Sequence, residues 1–503
     1  MNSALVVSTE CPTCGAPLDF SEGSNAVRCL HCGSHLLVTG RKQTLSYAIL
    51  PRIDDQEALK RVRLVQGDGH TPPRVVKAQL YFVPYYRLTG HDFFWEKTDP
   101  PLKAESFAGL SDRGEAGALP GIEIGAASTG IIRAVIDLFH SFRGVPEEKE
   151  PSLYPLSSGP VGASQKGTIP IKAVISGKRG AGEGEVSFRD RYVEKNFIAC
   201  HLEGLGLYSL GVRPAVLRLT LFQREALAKQ GKIVGVALAP DDALVHGMKG
   251  ADSEKIVYRQ VIGRVLSLIY FPFWVIEMEQ RGEGGLQVVD AVSERVIQLD
   301  APLSTYEQLD RPSAGQGDVV GFRPLTCPNC GWDFPAKPEE VIFVCASCDK
   351  VWQIRGRSLD ETAYAIAAVA GLEGSAAYLP FWVLEIERES DRSDRCFIPA
   401  FRYRRLKMLS DLARRISEKQ PDYSMTTGAK PELHGCYYDQ EDAASMAQFI
   451  HAGADRKSLE KAGLGKNRFQ VKNATLTWFP FSDKAGGLID PFTGLSLPKN
   501  LLI

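Results

Sequence analysis

The sequence predicts an α+β fold of several domains, in which two four-cysteine zinc ribbons alternate with repeated β-rich modules and a few helices. Three observations predict it: a duplicated set of CxxC pairs, a proline among aromatics that recurs four times, and helical periodicity confined to short stretches. With 503 residues the chain exceeds what one hydrophobic core supports, so roughly two to four domains are expected.

Eight of the 11 cysteines form two sets, Cys11, Cys14, Cys29 and Cys32, then Cys327, Cys330, Cys345 and Cys348, each with fourteen residues between its inner pair. Only Cys200, Cys396 and Cys436 stand apart. Paired CxxC sets in a large chain point to metal rather than to a disulfide framework. Four thiolates suit one tetrahedral zinc ion, so two structural ions per chain are expected; an iron centre or a redox-active dithiol is the alternative. A tight turn must follow each CxxC. Gly15, Gly33 and Gly331 supply its backbone angles, and Asp349, a residue tolerant of such turns, replaces glycine in the fourth. His31 and His35 lie beside the first set, but four cysteines already fill the tetrahedron. A filled site has no open position for water or substrate, so it reads as structural. On this reading Cys14→Ser unfolds the first ribbon alone and releases its ion.

The match between the sets extends outward: CPTCG faces CPNCG, Leu18 faces Phe334, Val27 faces Phe343, and Gly40-Arg41 faces Gly356-Arg357. Ser46 to Ile49 resembles Ala363 to Ile366. Prolines 84, 272, 380 and 480 each sit among aromatics, as in Tyr270-Phe271-Pro272-Phe273-Trp274 and Tyr378-Leu379-Pro380-Phe381-Trp382. The alternation that follows puts Trp274, Ile276 and Met278 on one face and Glu277 and Glu279 on the other, a half-buried strand. Proline lacks the ladder donor and is expected at a strand start or an edge. Helices are expected at Asp55 to Val65, with a stripe of Ala58, Val62 and Val65, at Ser128 to Phe142, and at Arg405 to Ile416. Residues 99–125 and 144–170 read as linkers, and a boundary falls near 311–326. The resulting order is ribbon 1 over 1–42, a β-module over 43–98, an irregular segment with one amphipathic helix over 99–190, and a central α/β module over 191–312. Ribbon 2 over 313–357, a β-module with a basic helix over 358–425 and a C-terminal β-rich module over 426–503 complete it.

Lys plus Arg (59) nearly balances Asp plus Glu (60), so any attraction to nucleic acid or anionic lipid must be local. The candidate polyanion-binding run is Arg402, Arg404, Arg405, Lys407, Arg414 and Arg415, extending to Lys419, with a solvated helix face as the plainer reading. The aromatic strands read as core, a stacking platform or a partner groove being the alternatives. The glycines of 178–184 lack the Gly-Lys-Ser/Thr ending of a phosphate loop and read as a hairpin turn. The 9 histidines are scattered, Cys200 and His201 point to opposite faces of a strand, and neither HExxH nor GxSxG occurs. No secretory leader and no membrane-spanning stretch is recognised, so a cytoplasmic location is expected.

The CPxCG…CxxCG ribbons with "Tyr-x-Pro-Phe-Trp" strands at Tyr270 to Trp274 and Tyr378 to Trp382 resemble a group of largely uncharacterised bacterial zinc-ribbon proteins, some labelled primosomal-protein-like. The resemblance implies ribbons that precede β-rich segments and a role as an accessory factor of membrane-stress or stomatin-like assemblies. Many members carry transmembrane helices and this chain departs from them there; a helicase nucleotide motif is also missing. The expected function is a zinc-binding, non-catalytic cytoplasmic adaptor or scaffold for other proteins, with Arg28, His31 and Lys350 as recognition residues at the ribbon tips. The alternative is a nucleic-acid-associated factor that uses the ribbons and the basic helix.

Overall fold

The computed structural model describes residues 5–66, 74–97, 186–200, 217–248, 255–280, 283–299, 317–370, 375–387, 393–426, 431–454, 469–484 and 486–503. Packing divides the chain into two units, Met1–Thr98 with Gly184–Ile503, and Asp99–Glu183. The expected helix at Ser128 to Phe142, the linkers 99–125 and 144–170, the glycines of 178–184, His201 and residues 311–316 lie outside the described residues.

The first unit is β-rich. In its amino-terminal part, β1 (Val6–Glu10), β2 (Pro17–Ser21), β3 (Ala26–Arg28) and β4 (His35–Thr39) build ribbon 1, and β5 (Leu45–Ala48) and α1 (Asp55–Gln66) follow. Next come β6 (Arg74–Lys97), β7 (Val186–Ile198), β8 (Arg218–Leu221), α2 (Arg224–Gln230), β9 (Lys232–Ile233), α3 (Pro240–Met248), β10 (Ile256–Gln280), β11 (Glu283–Asp290) and β12 (Val296–Leu299). These strands, apart from β3 and β4, make one 10-stranded sheet in the order β12-β11-β10-β5-β8-β1-β2, with β6 on the other flank of β10 and β7 and β9 beside β6. The segments 43–98 and 191–312 therefore share a sheet, and ribbon 1 joins it through β1.

In the carboxy-terminal part, β13 (Gly321–Pro324), β14 (Ile342–Val344), β15 (Val351–Arg355) and β16 (Ser358–Glu361) belong to ribbon 2 and its exit. They are followed by β17 (Tyr364–Ala368), β18 (Ala376–Glu387), β19 (Ser393–Pro399), α4 (Leu406–Lys419), β20 (Ser424–Met425), α5 (Gln440–Ala454), β21 (Gln470–Lys484), β22 (Gly487–Ile489) and β23 (Ser496–Pro498). A seven-stranded sheet runs β19-β18-β21-β17-β20, extended from β21 by β22 and β23, so the segments 358–425 and 426–503 also share a sheet.

The aromatic strands are buried on both faces over their apolar stretches, not half-buried there; beyond them the expected alternation holds, with Ile276 and Met278 buried, Glu277 half-buried and Glu279 exposed. Phe271, Phe273 and Val275 face one core; Tyr270, Ile276 and Met278 face another, with Trp274 packed against it. Phe381 and Val383 likewise oppose Trp382, Leu384 and Ile386. Helices account for the second covered face: α1 contributes Ala58 and Val62, α2 Leu227, α4 Leu409, Leu412 and Ile416, and α5 Ala443, Ala447 and Ile450. Val65, expected in the α1 stripe, is exposed instead, one turn beyond the end of the contact.

The four prolines are not at strand starts or edges. Each lies inside a long central strand where one flanking partner ends and another begins. Pro84 falls between β7, which reaches Tyr85, and β9, which holds Tyr81 and Phe82. Pro272 falls between β5, ending at Tyr270, and β11, starting at Phe273. Pro380 follows the bridge from Tyr378 to Leu433 and precedes β19 at Phe381; Pro480 separates β17 from β22. The carbonyls of Pro84, Pro272 and Pro380 accept from the N–H groups of Ala199, Ala291 and Ala400 on that same flank. A residue's N and C=O point to one side of a strand, so the missing N–H falls in the gap and no ladder bond is lost. Pro380→Ala should therefore change stability by about 1 kcal/mol or less, chiefly through the unfolded chain. Ala400→Pro removes a real donor and strands the Pro380 carbonyl, costing about 3 kcal/mol. Urea denaturation of both variants checks the contrast.

One hydrogen-bond plan occurs in both halves. Phe82 and Tyr378, each two residues before a proline, accept from Val234 and His434 N–H. Ala199 and Ala400 carbonyls accept from Ala237 and Tyr437 N–H. Tyr86 Oη donates to the Leu238 carbonyl at 2.7 Å, and Trp382 Nε1 to the Tyr438 carbonyl at 2.9 Å. After the second aromatic strand, Asp290 Oδ1 accepts from Val292 and Ser293 N–H, while Asp490 accepts from Phe492 and Thr493 N–H. Both turns end on a positive φ, 62° at Glu294 and 74° at Gly494.

Candidate metal centres

Each cysteine pair sits on the same local turn. Cys11, Cys29, Cys327 and Cys345 donate their N–H to the carbonyls of Ala16, Ser34, Trp332 and Lys350, and accept from the N–H of Gly15, Gly33, Gly331 and Asp349. The last four residues have φ of 72°, 77°, 77° and 67°. The left-handed position expected after each CxxC is therefore present in all four turns, and Asp349 occupies it without being glycine. The second turn of each set closes a short hairpin, β3 against β4 in ribbon 1 and β14 against β15 in ribbon 2, and the Cys11 turn joins β1 to β2.

Within each set the four sulfurs lie within 4.8 Å of one another. Cys11 Sγ is 3.9 Å from Cys32 Sγ and Cys14 Sγ is 3.8 Å from Cys29 Sγ; the matching separations in ribbon 2 are 3.6 Å for Cys327 and Cys348 and 3.5 Å for Cys330 and Cys345. A disulfide would need about 2.05 Å. Four sulfurs at about 2.3 Å from a central ion stand about 3.8 Å apart in a tetrahedron, so both sets can hold a metal ion with the geometry that zinc takes. Chemically, four sulfur donors fill such a site.

The electrostatics favour partial ionisation before an ion arrives. The Ser34 hydroxyl and backbone hold the Cys32 thiol down at about 6, and the Lys350 N–H is the main influence that holds Cys348 at about 6. Burial pushes Cys345 up to about 12, so its proton must leave when a metal binds. His31 is exposed and neither it nor His35 joins a cluster of ligand atoms. Cys396 and Cys436 are buried in the second sheet's core, and burial pushes the Cys200 thiol up to about 12.

Two of the six residues of the basic run have acidic partners. Arg402 pairs with Glu339 and lies over the Tyr437 ring, and Arg414 pairs with Glu418 at 2.9 Å. Arg404, Arg405, Lys407 and Arg415 are exposed around α4, whose opposite stripe is core. At the ribbon tips Arg28 and His31 are exposed, while Lys350 pairs with Glu361 at 2.8 Å. Two tip residues escaped sequence reasoning: Leu30 is 95% exposed and Trp332 57%. Both flank metal-turn cysteines, and large apolar groups in such tight loops were the available signal. A cavity of about 560 Å³ was also missed, because its walls come from distant segments, among them Arg41, Lys42, His91, Tyr192, Arg402 and Asp442. Arg41 bonds Asp442 at 3.1 Å and Lys42 bonds Glu441 at 2.6 Å, so these wall charges are matched within the protein. No described helix is long and apolar enough to cross a membrane.

Comparison of the chain with protein-family models, curated proteins and solved structures gives no match.

Proposed function

We propose that this chain is a zinc-binding, non-catalytic cytoplasmic adaptor, arisen by tandem duplication of a ribbon and a β-sheet module, that presents its metal-held turns to other proteins. The observation that carries the reading is the pair of four-sulfur clusters at tetrahedral spacing. With every coordination position filled by cysteine, an ion there shapes the chain and does not activate a substrate. Exposed Trp332 beside one of these turns gives a partner a rigid aromatic contact, the kind of residue that anchors protein interfaces, and exposed Leu30 adds apolar area at another. The ion pairs of Arg402, which precedes α4, and of Arg414 on it weigh against a nucleic-acid surface there.

Elemental analysis of the reduced protein should return two zinc ions per chain. Affinity purification from soluble and membrane fractions, repeated with a Leu30→Asp/Trp332→Asp chain, should lose its partners in the variant; an accessory role in a membrane-associated assembly places them in the membrane fraction. Fewer than two ions removes the metal reading, and an unchanged partner set removes the tip reading. Gel shifts that weaken steeply with salt would turn the assignment to the nucleic-acid factor.

A further inference from the structure

We infer that the two metal sites are thermodynamically coupled, the ion in either ribbon strengthening the other ribbon's hold on its own. The inference rests on the reading that both cysteine sets bind metal, and it concerns the regulation of those same sites. It also departs from the expectation that losing one site affects one ribbon.

The seam between the ribbons supports it. Strand β4 leaves ribbon 1 three residues after Cys32 and pairs with β13, which ends three residues before Cys327, in the register Leu36 to Pro324 through Thr39 to Gly321. The Leu325 N–H donates to the His35 carbonyl at 2.9 Å, so one strand pair runs from a ligand of the first site to a ligand of the second. On the far side, the Pro338 carbonyl accepts from Asn25 N–H at 2.6 Å and Ala26 N–H at 3.1 Å. Asn25 Nδ2 reaches the Glu339 carbonyl, and Gly40 N–H donates to the Gly356 carbonyl.

Side chains repeat the pattern. Alternation along β4 sends Leu36 and Val38 into the first sheet's core and Leu37 the other way. Leu37 and Ala26 pack in a small core with Leu325, Cys327, Phe334, Phe343, Cys345 and Trp352, so ribbon 1 supplies part of the apolar setting of two ribbon 2 ligands. A segment of about 30 residues cannot build its own core and depends on its ion for shape. An ion in ribbon 1 therefore fixes β3 and β4, and with them half of the seam that ribbon 2 needs. By linkage the effect is equal in both directions.

The test uses the full-length chain, with zinc affinity measured by competition against a chromophoric chelator. The wild type should hold two ions. Cys14→Ser and Cys330→Ser should each hold one, released at a chelator strength at least tenfold lower than the same site needs in the wild type, within the usual range of coupling between sites. Leu37→Ala keeps all eight cysteines and trims only the seam; both of its ions should weaken. Retention within about twofold in the cysteine variants, or an unaltered Leu37→Ala chain, overturns the coupling while leaving the metal reading intact. A wild type with fewer than two ions overturns both.

Discussion

Removing the metal with a strong chelator should unfold both ribbons and loosen the first sheet, and zinc alone should restore them. Structural zinc in ribbon-sized segments contributes on the order of 10 kcal/mol, comparable to the whole stability of a domain. Here the ligands are also core residues. Cys11 and Cys29 are buried with Leu18, Val27 and Leu36 against Tyr81, Phe271 and Phe273 of the 10-stranded sheet. Losing the first ion therefore uncovers one face of that sheet. Limited trypsin digestion gives the readout, because Arg28 and Arg41 lie on the ribbon and at its exit. Arg41 is held by Asp439 and Asp442 at the start of α5, and cleavage there should appear only after metal loss. A chelated chain with an unchanged digest and an unchanged far-ultraviolet spectrum would show that the cysteines do not organise this fold.

The pH dependence of this contact has a defined sign. Burial opposes a charge on Asp439, but Arg41, Lys42 and the Asp442 N–H outweigh it and hold the acid at about 2. A carboxylate depressed in the folded state stabilises fully above its unfolded value near 4. That contribution declines as pH falls from about 4 toward about 2. Asp442 shifts upward through burial and the neighbouring Asp439 charge, so its protonation relieves a penalty above about pH 4, before the Asp439 contribution begins to fall.

The metal turns were legible in the sequence because their physics is local. Each needs two cysteines, a left-handed position and a short return strand, all within a few residues, and even the substitution of Asp349 for glycine could be read. The aromatic strands were legible as strands, and their side chains as core, for the same reason. Their burial on both faces was not, because the covering helices α2, α3 and α5 carry alanine-rich or short stripes with little periodic contrast, as in Ala443, Ala447 and Ile450 of α5. The role of the prolines was hidden for a different reason. An edge and a gap between two partners both lack an acceptor, and only the pairing of segments far apart in the chain distinguishes them. The same holds for the seam, where Leu37 reads as one more apolar residue in a strand until β13 is seen beside it.

Asp92→Ala should be strongly destabilising, at about 3–5 kcal/mol. Asp92 is fully buried on β6, and its carboxylate accepts from Arg259 on β10 at 2.6 and 2.8 Å and from Arg191 on β7 at 2.9 Å. One acid thus ties three strands. Arg191 is 45% exposed and can turn to water, but the Arg259 side chain is only 6% exposed and would stay charged in a poor solvent. The damage comes from a buried guanidinium that has lost its carboxylate, so an Asp92→Leu/Arg259→Met chain should recover most of it. Phe93 beside Asp92, with Tyr258 and Ile262 of β10, packs into the second sheet's core against α5. Urea unfolding followed at the tryptophans should therefore report the loss in both sheets. A single Ala variant within about 1 kcal/mol of the wild type, or a double variant no better than the single, would show that these strands are held by their ladders alone.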